Sequence, residues 1–99
     1  MFPERIRVFV TNVATRTEMS EFVWTYDDMN ATVHLRETLF TLTLRYSFSD
    51  TERCGEFVLI YTDQADKEYR FYTNQEQGDY ALAQRLYEVA QSSGMTLPF

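Results

Sequence analysis

The chain carries one histidine, His34, and one cysteine, Cys54, and any nucleophilic chemistry would have to begin with them. A thiol nucleophile needs a base in contact with it and a third group to orient the imidazole. His34 falls on the face opposite Val33 and Leu35 in an alternating stretch, whereas Cys54 lies in a loop just before Gly55. Nothing in their spacing brings them together. The expectation is a partly exposed strand histidine and an incidental cysteine.

Metal and phosphate chemistry are equally unsupported. One His and one Cys cannot supply the usual structural zinc ligand sets. Asp27, Asp28 and Asn30, or Asp63 and Asp66, carry oxygen ligands suited to calcium, but their spacing does not match the twelve-residue loop, and they read as solvated turn residues. The three glycines, Gly55, Gly78 and Gly94, are scattered beside turns and helix ends instead of forming a phosphate loop, and there is no nucleophile elbow or HExxH. Among fifteen acidic residues no spacing singles out an acid–base pair. No catalytic residue, metal or cofactor is assigned, and the chain is not read as an enzyme.

What remains is charge and aromatic surface. Nine basic against fifteen acidic residues give a net charge of −6, which disfavours free nucleic acid and anionic membranes as partners because both reward Lys and Arg. It suits a basic protein surface, including one that normally holds nucleic acid. Residues 46–79 carry −5 of that charge, mostly in loops and at a helix start. Alternate loops of an antiparallel meander emerge at opposite ends, so these acids need not form one patch. Seven tyrosines add amphipathic contact area. Asp63, Asp66, Glu68, Tyr69, Tyr72 and Glu76 are therefore the candidate partner-binding residues.

The elements that would position them are legible in the patterning. From Phe40 to Phe48 the even positions are apolar or aromatic and the odd positions polar, the alternation of a half-buried strand. Fully burying Phe40, Leu42, Leu44 and Phe48 would contribute roughly 1.5–3 kcal/mol each. Upstream, Val33 and Leu35 are apolar on odd positions, so the phase slips by one residue. No Gly, Pro, Asn or Asp interrupts residues 32–48, and a β-bulge near Glu37, Thr38 and Leu39 would absorb the slip. The result would be one bent strand of seventeen residues, about 55 Å at roughly 3.3 Å each. A tight turn over 36–38 would serve as well, but the usual turn residues are missing there.

Residues 5–13 alternate at Ile6, Val8 and Val10 and predict a first strand, followed by a connection at 15–17. Phe22, Trp24 and Tyr26 predict a second strand over 20–26, and Asp27 to Asn30 a hairpin turn. Further strands are predicted over 56–62, with apolar residues on both faces, and over 68–73, with a polar turn at 63–66 between them. Leu82, Ala83, Leu86, Val89 and Ala90 trace one face of a helix. Asp79 is its expected N-cap, with Asn74 and Gln77 as an earlier capping alternative, and Gly94 its expected stop. Leu97 and Phe99 are placed to fold back onto the body.

The expected fold is therefore α+β: a single domain over residues 1–99, with a curled antiparallel meander of about five strands and one C-terminal helix on its apolar face. One cysteine allows no internal disulfide, and no apolar run reaches signal-peptide or membrane-spanning length, which predicts a cytoplasmic protein. The expected function is a small acidic interaction module, an inhibitor or adaptor that binds a basic protein surface. Viral anti-defence proteins offer an analogy in size and charge. The alternative is a small-ligand-binding or enzymatic domain with a pocket between sheet and helix, and self-association through an exposed strand edge is a third expectation.

Overall fold

The computed structural model describes residues 1–98. Its elements run α1 (Glu4–Glu18), β1 (Thr25–Asp27), β2 (Thr32–Arg36), β3 (Thr41–Ser49), β4 (Cys54–Thr62), β5 (Glu68–Asn74) and α2 (Tyr80–Ser92). The five strands form one antiparallel sheet in the order β1-β2-β3-β4-β5, an α+β meander that does not close on itself. Both helices cover the same face and share its core, which joins Val10, Val13 and Ala14 of α1 to Ala83, Leu86 and Ala90 of α2 and to Val33, Leu35, Leu42, Leu44, Phe57 and Leu59 of the sheet.

The predicted first strand is a helix, and the predicted connection at 15–17 is its last turn. Ile6, Phe9, Val10, Val13, Ala14 and Thr17 recur at three- and four-residue spacing, which is the face turned inward. Val8, apolar but off that face, is 52% exposed. Thr11 and Thr17 donate their hydroxyls to the carbonyls of Arg7 and Val13 one turn back, which satisfies both groups within the helix. Pro3 precedes the first turn, where its missing N–H costs nothing. The helix closes without glycine. Ser20 takes φ 65° while its N–H reaches the Thr17 carbonyl, and Glu21 N–H reaches that of Arg16, the hydrogen-bond pattern of a Schellman motif.

Of the strand predicted over 20–26, only Thr25 and Tyr26 pair with the sheet, in a β1 that runs on to Asp27. Phe22 and Trp24 are buried for another reason: they pack under the end of α1. The Arg16 guanidinium sits 4.7 Å from the Phe22 ring, and the indole N–H of Trp24 donates to Thr17 Oγ1 at 3.1 Å. The hairpin turn over Asp27–Asn30 is present, with the Asp27 carboxylate accepting the N–H and the side-chain amide of Asn30.

The long bulged strand does not form. Residues 32–36 and 41–49 are separate strands of a hairpin, closed by Glu37 N–H donating to the Phe40 carbonyl at 2.9 Å. The register pairs Val33 with Leu44 and Leu35 with Leu42. Odd positions on one strand thus face the same way as even positions on the other. The slip in phase was the mark of a reversal of direction. Leu42 and Leu44 are fully buried and Phe40 is half-buried, but Phe48 is 56% exposed, at the far end of β3.

The predicted strands near 56–62 and 68–73 are β4 and β5, and β4 is flanked on both sides. Its second face is not covered: Val58 and Ile60 remain half-exposed. The C-terminal helix stands as expected, with Leu82 and Val89 half-buried beside the buried Ala83, Leu86 and Ala90. Its caps differ. Asp79 occupies the N-cap position but makes no capping bond, Asn74 and Gln77 form a backbone turn, and the C-cap is Ser93 in right-handed conformation. Gly94 is not in a left-handed conformation. Leu97 is 62% exposed, and Phe99 lies outside the described residues.

Candidate functional site

His34 and Cys54 stay apart. His34, on β2, shares a 2.7 Å hydrogen bond through Nδ1 with Thr43 of β3 on the uncovered face of the sheet. Burial, then Arg36, pushes its pKa down. Cys54 begins β4 opposite Ser49, beyond β3 and near the other end of the strands. Burial and then the neighbouring Glu52 and Glu76 push its thiol up, the reverse of what activates a nucleophile. Among the described residues no group of three or more His, Cys, Asp or Glu converges as a metal site.

The meander sorts the acids by turn. The β1–β2 turn, the β3–β4 turn and the β5–α2 connection emerge at one end of the sheet. They carry Asp28, Asp50, Glu52 and Glu76 together with Arg53, with Asp27 at the end of β1 and Glu56 at the adjoining start of β4. Here Ser47 donates to Glu56 at 3.2 Å, Glu52 N–H is held by the Ser49 hydroxyl, and Gln75 Oε1 accepts Gly55 N–H at 2.7 Å. Burial, then Glu52, Glu76 and Glu56, raise the Cys54 thiol pKa, so these three carboxylates all act on this position.

The six candidate partner-binding residues are divided among four places. Asp63 and Asp66 lie at the opposite end, in the β4–β5 turn. Asp63 Oδ1 accepts the N–H groups of Ala65 and Lys67, so its carboxylate shapes the turn, and Asp66 is at its tip with φ 63°. Glu68 and Tyr72 point to the uncovered face of β5, where Arg70 Nε pairs with Glu68 at 2.8 Å. Tyr69 points to the helix side, against Tyr61, with the Lys67 ammonium 5.2 Å from its ring. Glu76 alone belongs to the acidic end. Its companions Asp50, Glu52 and Glu56 share its end in any meander, since the β3–β4 turn and the β5–α2 connection are two strands apart, whereas Asp27 and Asp28 join them only because residues 32–48 reverse direction.

Tyr69 does form part of a concavity. Between the first half of α1 and the helix-side face of β4 and β5 lies a half-open groove of about 510 Å³, with Phe9, Tyr61, Tyr69 and Phe71 around it and Arg5 and Asp63 among its polar lining. Phe9 meets Tyr61 edge-on at 5.5 Å and Phe40 at 5.4 Å, so this wall of the groove is anchored in the core. The α1 residues were invisible to a reading that made 5–13 a strand.

Asp79 is buried where three elements meet. It accepts the Thr73 hydroxyl from the end of β5 and the Phe2 N–H ahead of α1. No described helix is long and apolar enough to cross a membrane. Compared with protein-family models, curated proteins and solved structures, the chain matches none.

Proposed function

We propose that this protein is a non-enzymatic interaction module that docks a basic surface of another protein, acting as an inhibitor or adaptor. The observation that carries this reading is the gathering of Asp27, Asp28, Asp50, Glu52, Glu56 and Glu76 at one end of the sheet, on connections fixed by the strand register. Clustered carboxylates on a rigid end steer association with a cationic face and make it salt-dependent. A partner face that normally holds nucleic acid meets that description, and the module would compete with the nucleic acid for it.

The test compares two charge-neutralised variants with the unaltered chain as baits in cell lysate, at low and high salt. Asp50→Asn/Glu52→Gln/Glu76→Gln removes charge from the acidic end, and Asp63→Asn/Asp66→Asn/Glu68→Gln removes it from the opposite end. The expected outcome is a basic protein captured in a salt-sensitive manner, lost with the first variant and kept with the second. Retention by the first variant with an unchanged salt dependence overturns the reading.

A second reading rests on the groove between α1 and β4–β5. Its size and aromatic lining suit a small apolar ligand with a charged end near Arg5 or Asp63. Mass spectrometry of gently purified protein, under native conditions, would show a bound small molecule that is lost in Phe9→Ala. A mass equal to the bare chain under the gentlest conditions overturns it.

A further inference from the structure

β5 is the last strand of the sheet, and part of its outer edge is open. Gln75 N–H bonds to the Gly55 carbonyl, which turns the odd-numbered backbone groups of this segment toward β4. The N–H and C=O groups of Glu68, Arg70 and Tyr72 therefore point outward. The chain already uses one of them: the Met1 nitrogen donates to the Tyr72 carbonyl. From Glu68 to Arg70 the outward groups form a short template for another strand, with Tyr69, 37% exposed, on the helix side.

We propose that this edge pairs with the same edge of a second copy of the chain, antiparallel about a two-fold axis at Tyr69. Charge decides the register. Outward-facing residues must pair with outward-facing residues, so the axis falls at Glu68, Tyr69, Arg70 or Phe71, and an axis at Glu68 sets two carboxylates against each other. An axis at Arg70 sets two guanidinium groups against each other. An axis at Phe71 would place Arg70 opposite Tyr72, whose carbonyl Met1 already occupies. An axis at Tyr69 sets Glu68 of each copy opposite Arg70 of the other, and the 2.8 Å pair within each strand becomes a four-charge ladder on the uncovered face. On the helix side the two Tyr69 rings meet, and Lys67 of one copy lies opposite Phe71 of the other. Tyr69 and Phe71 line the groove, so the contact runs along its β5 side. This contact uses a different part of the surface from the acidic end, so either proposal can fail without the other.

Analytical ultracentrifugation over a concentration series tests it. The unaltered chain is expected to shift from monomer to dimer mass as concentration rises. Arg70→Glu, which sets like charges opposite Glu68 twice per dimer, is expected to raise the dimer dissociation constant about tenfold. Glu68→Arg is expected to do the same against Arg70. The exchanged chain, Glu68→Arg/Arg70→Glu, restores opposite charges across the axis and is expected to recover dimerisation. Arg70→Pro removes an outward N–H that β4 does not use, and is expected to abolish the dimer while circular dichroism shows the sheet intact. A constant monomer mass overturns the proposal, and so does a dimer that Arg70→Glu leaves unchanged or that the exchanged pair does not restore.

Discussion

Asp79 accepts the hydroxyl of Thr73, and both side chains are buried. Thr73 lies near the end of β5, while the other carboxylate oxygen holds Phe2 N–H ahead of α1, and α2 begins at the next residue. A residue with N-cap chemistry has been diverted from capping to fastening three elements together. Burial works to raise its pKa, but the bonds from Thr73 and Phe2 outweigh it and the carboxyl is held below its usual range. The stabilisation is therefore full above the unfolded-state value, near about 3.9, and is lost as pH falls through the lower folded-state value. Asp79→Ala strands a buried N–H and a buried hydroxyl, at a cost of about 1–3 kcal/mol each. Thermal melts should show a large drop for this variant at neutral pH and a shallower loss of stability on acidification than in the unaltered chain.

Gly55 pairs with Phe48 across β3 and β4, and the Tyr46 ring lies over it. A Cβ at this position would be 2.6 Å from the Tyr46 hydroxyl oxygen and 2.9 Å from its ring. The ring has little freedom to retreat, since it packs against Phe57 at 5.2 Å. Gly55→Ala is expected to cost about 1–3 kcal/mol, as overpacking does. Adding Tyr46→Phe removes the closest atom and should recover part of that loss. Equal stability of Gly55→Ala and the unaltered chain in urea titration would contradict this account.

How much of this was visible beforehand depends on which pattern was unambiguous. The alternation over 40–48 and the helical row at Leu82, Leu86 and Val89 each fit one period, and both elements stand. Residues 5–13 fit two periods. Ile6, Val8 and Val10 alternate, which predicts a strand, while Ile6, Phe9, Val10 and Val13 follow a helix. Burial by tertiary partners decided it, with Phe9 between Phe40 and Tyr61. The aromatic groove depends on α1, and the place of Asp27 and Asp28 at the acidic end depends on the hairpin between β2 and β3. The turn at 37–40 hides because it contains none of the residues that punctuate a chain, and only the change of phase between Leu35 and Leu42 betrays it.

Trp24 is the single tryptophan, and its indole N–H has Thr17 Oγ1 as acceptor at 3.1 Å in a buried setting. Thr17→Val keeps the shape and removes the acceptor, so the N–H is left unpaired at a cost of about 1–3 kcal/mol. Tryptophan fluorescence followed through denaturant should show an earlier midpoint for this variant with an unchanged slope. An unmoved midpoint would mean that the indole finds another partner.

At the acidic end, Cys54 serves as a built-in probe of the field that the proposed docking face presents. Burial raises its thiol pKa first, and Glu52, Glu76 and Glu56 raise it further. The thiolate is the reactive species, so the folded protein should react with iodoacetamide at neutral pH far more slowly than a free thiol. Glu52→Gln/Glu76→Gln removes two of the carboxylates and lowers the electrostatic cost of the thiolate, while the backbone around Gly55 and Gln75 keeps its bonds. Alkylation of this variant should be several-fold faster, and the difference should shrink as salt screens the charges. Added salt should likewise speed the reaction of the unaltered chain and leave the variant nearly unaffected. Equal rates for the two proteins at low salt would show that burial alone governs Cys54 and that the carboxylates exert no common field there.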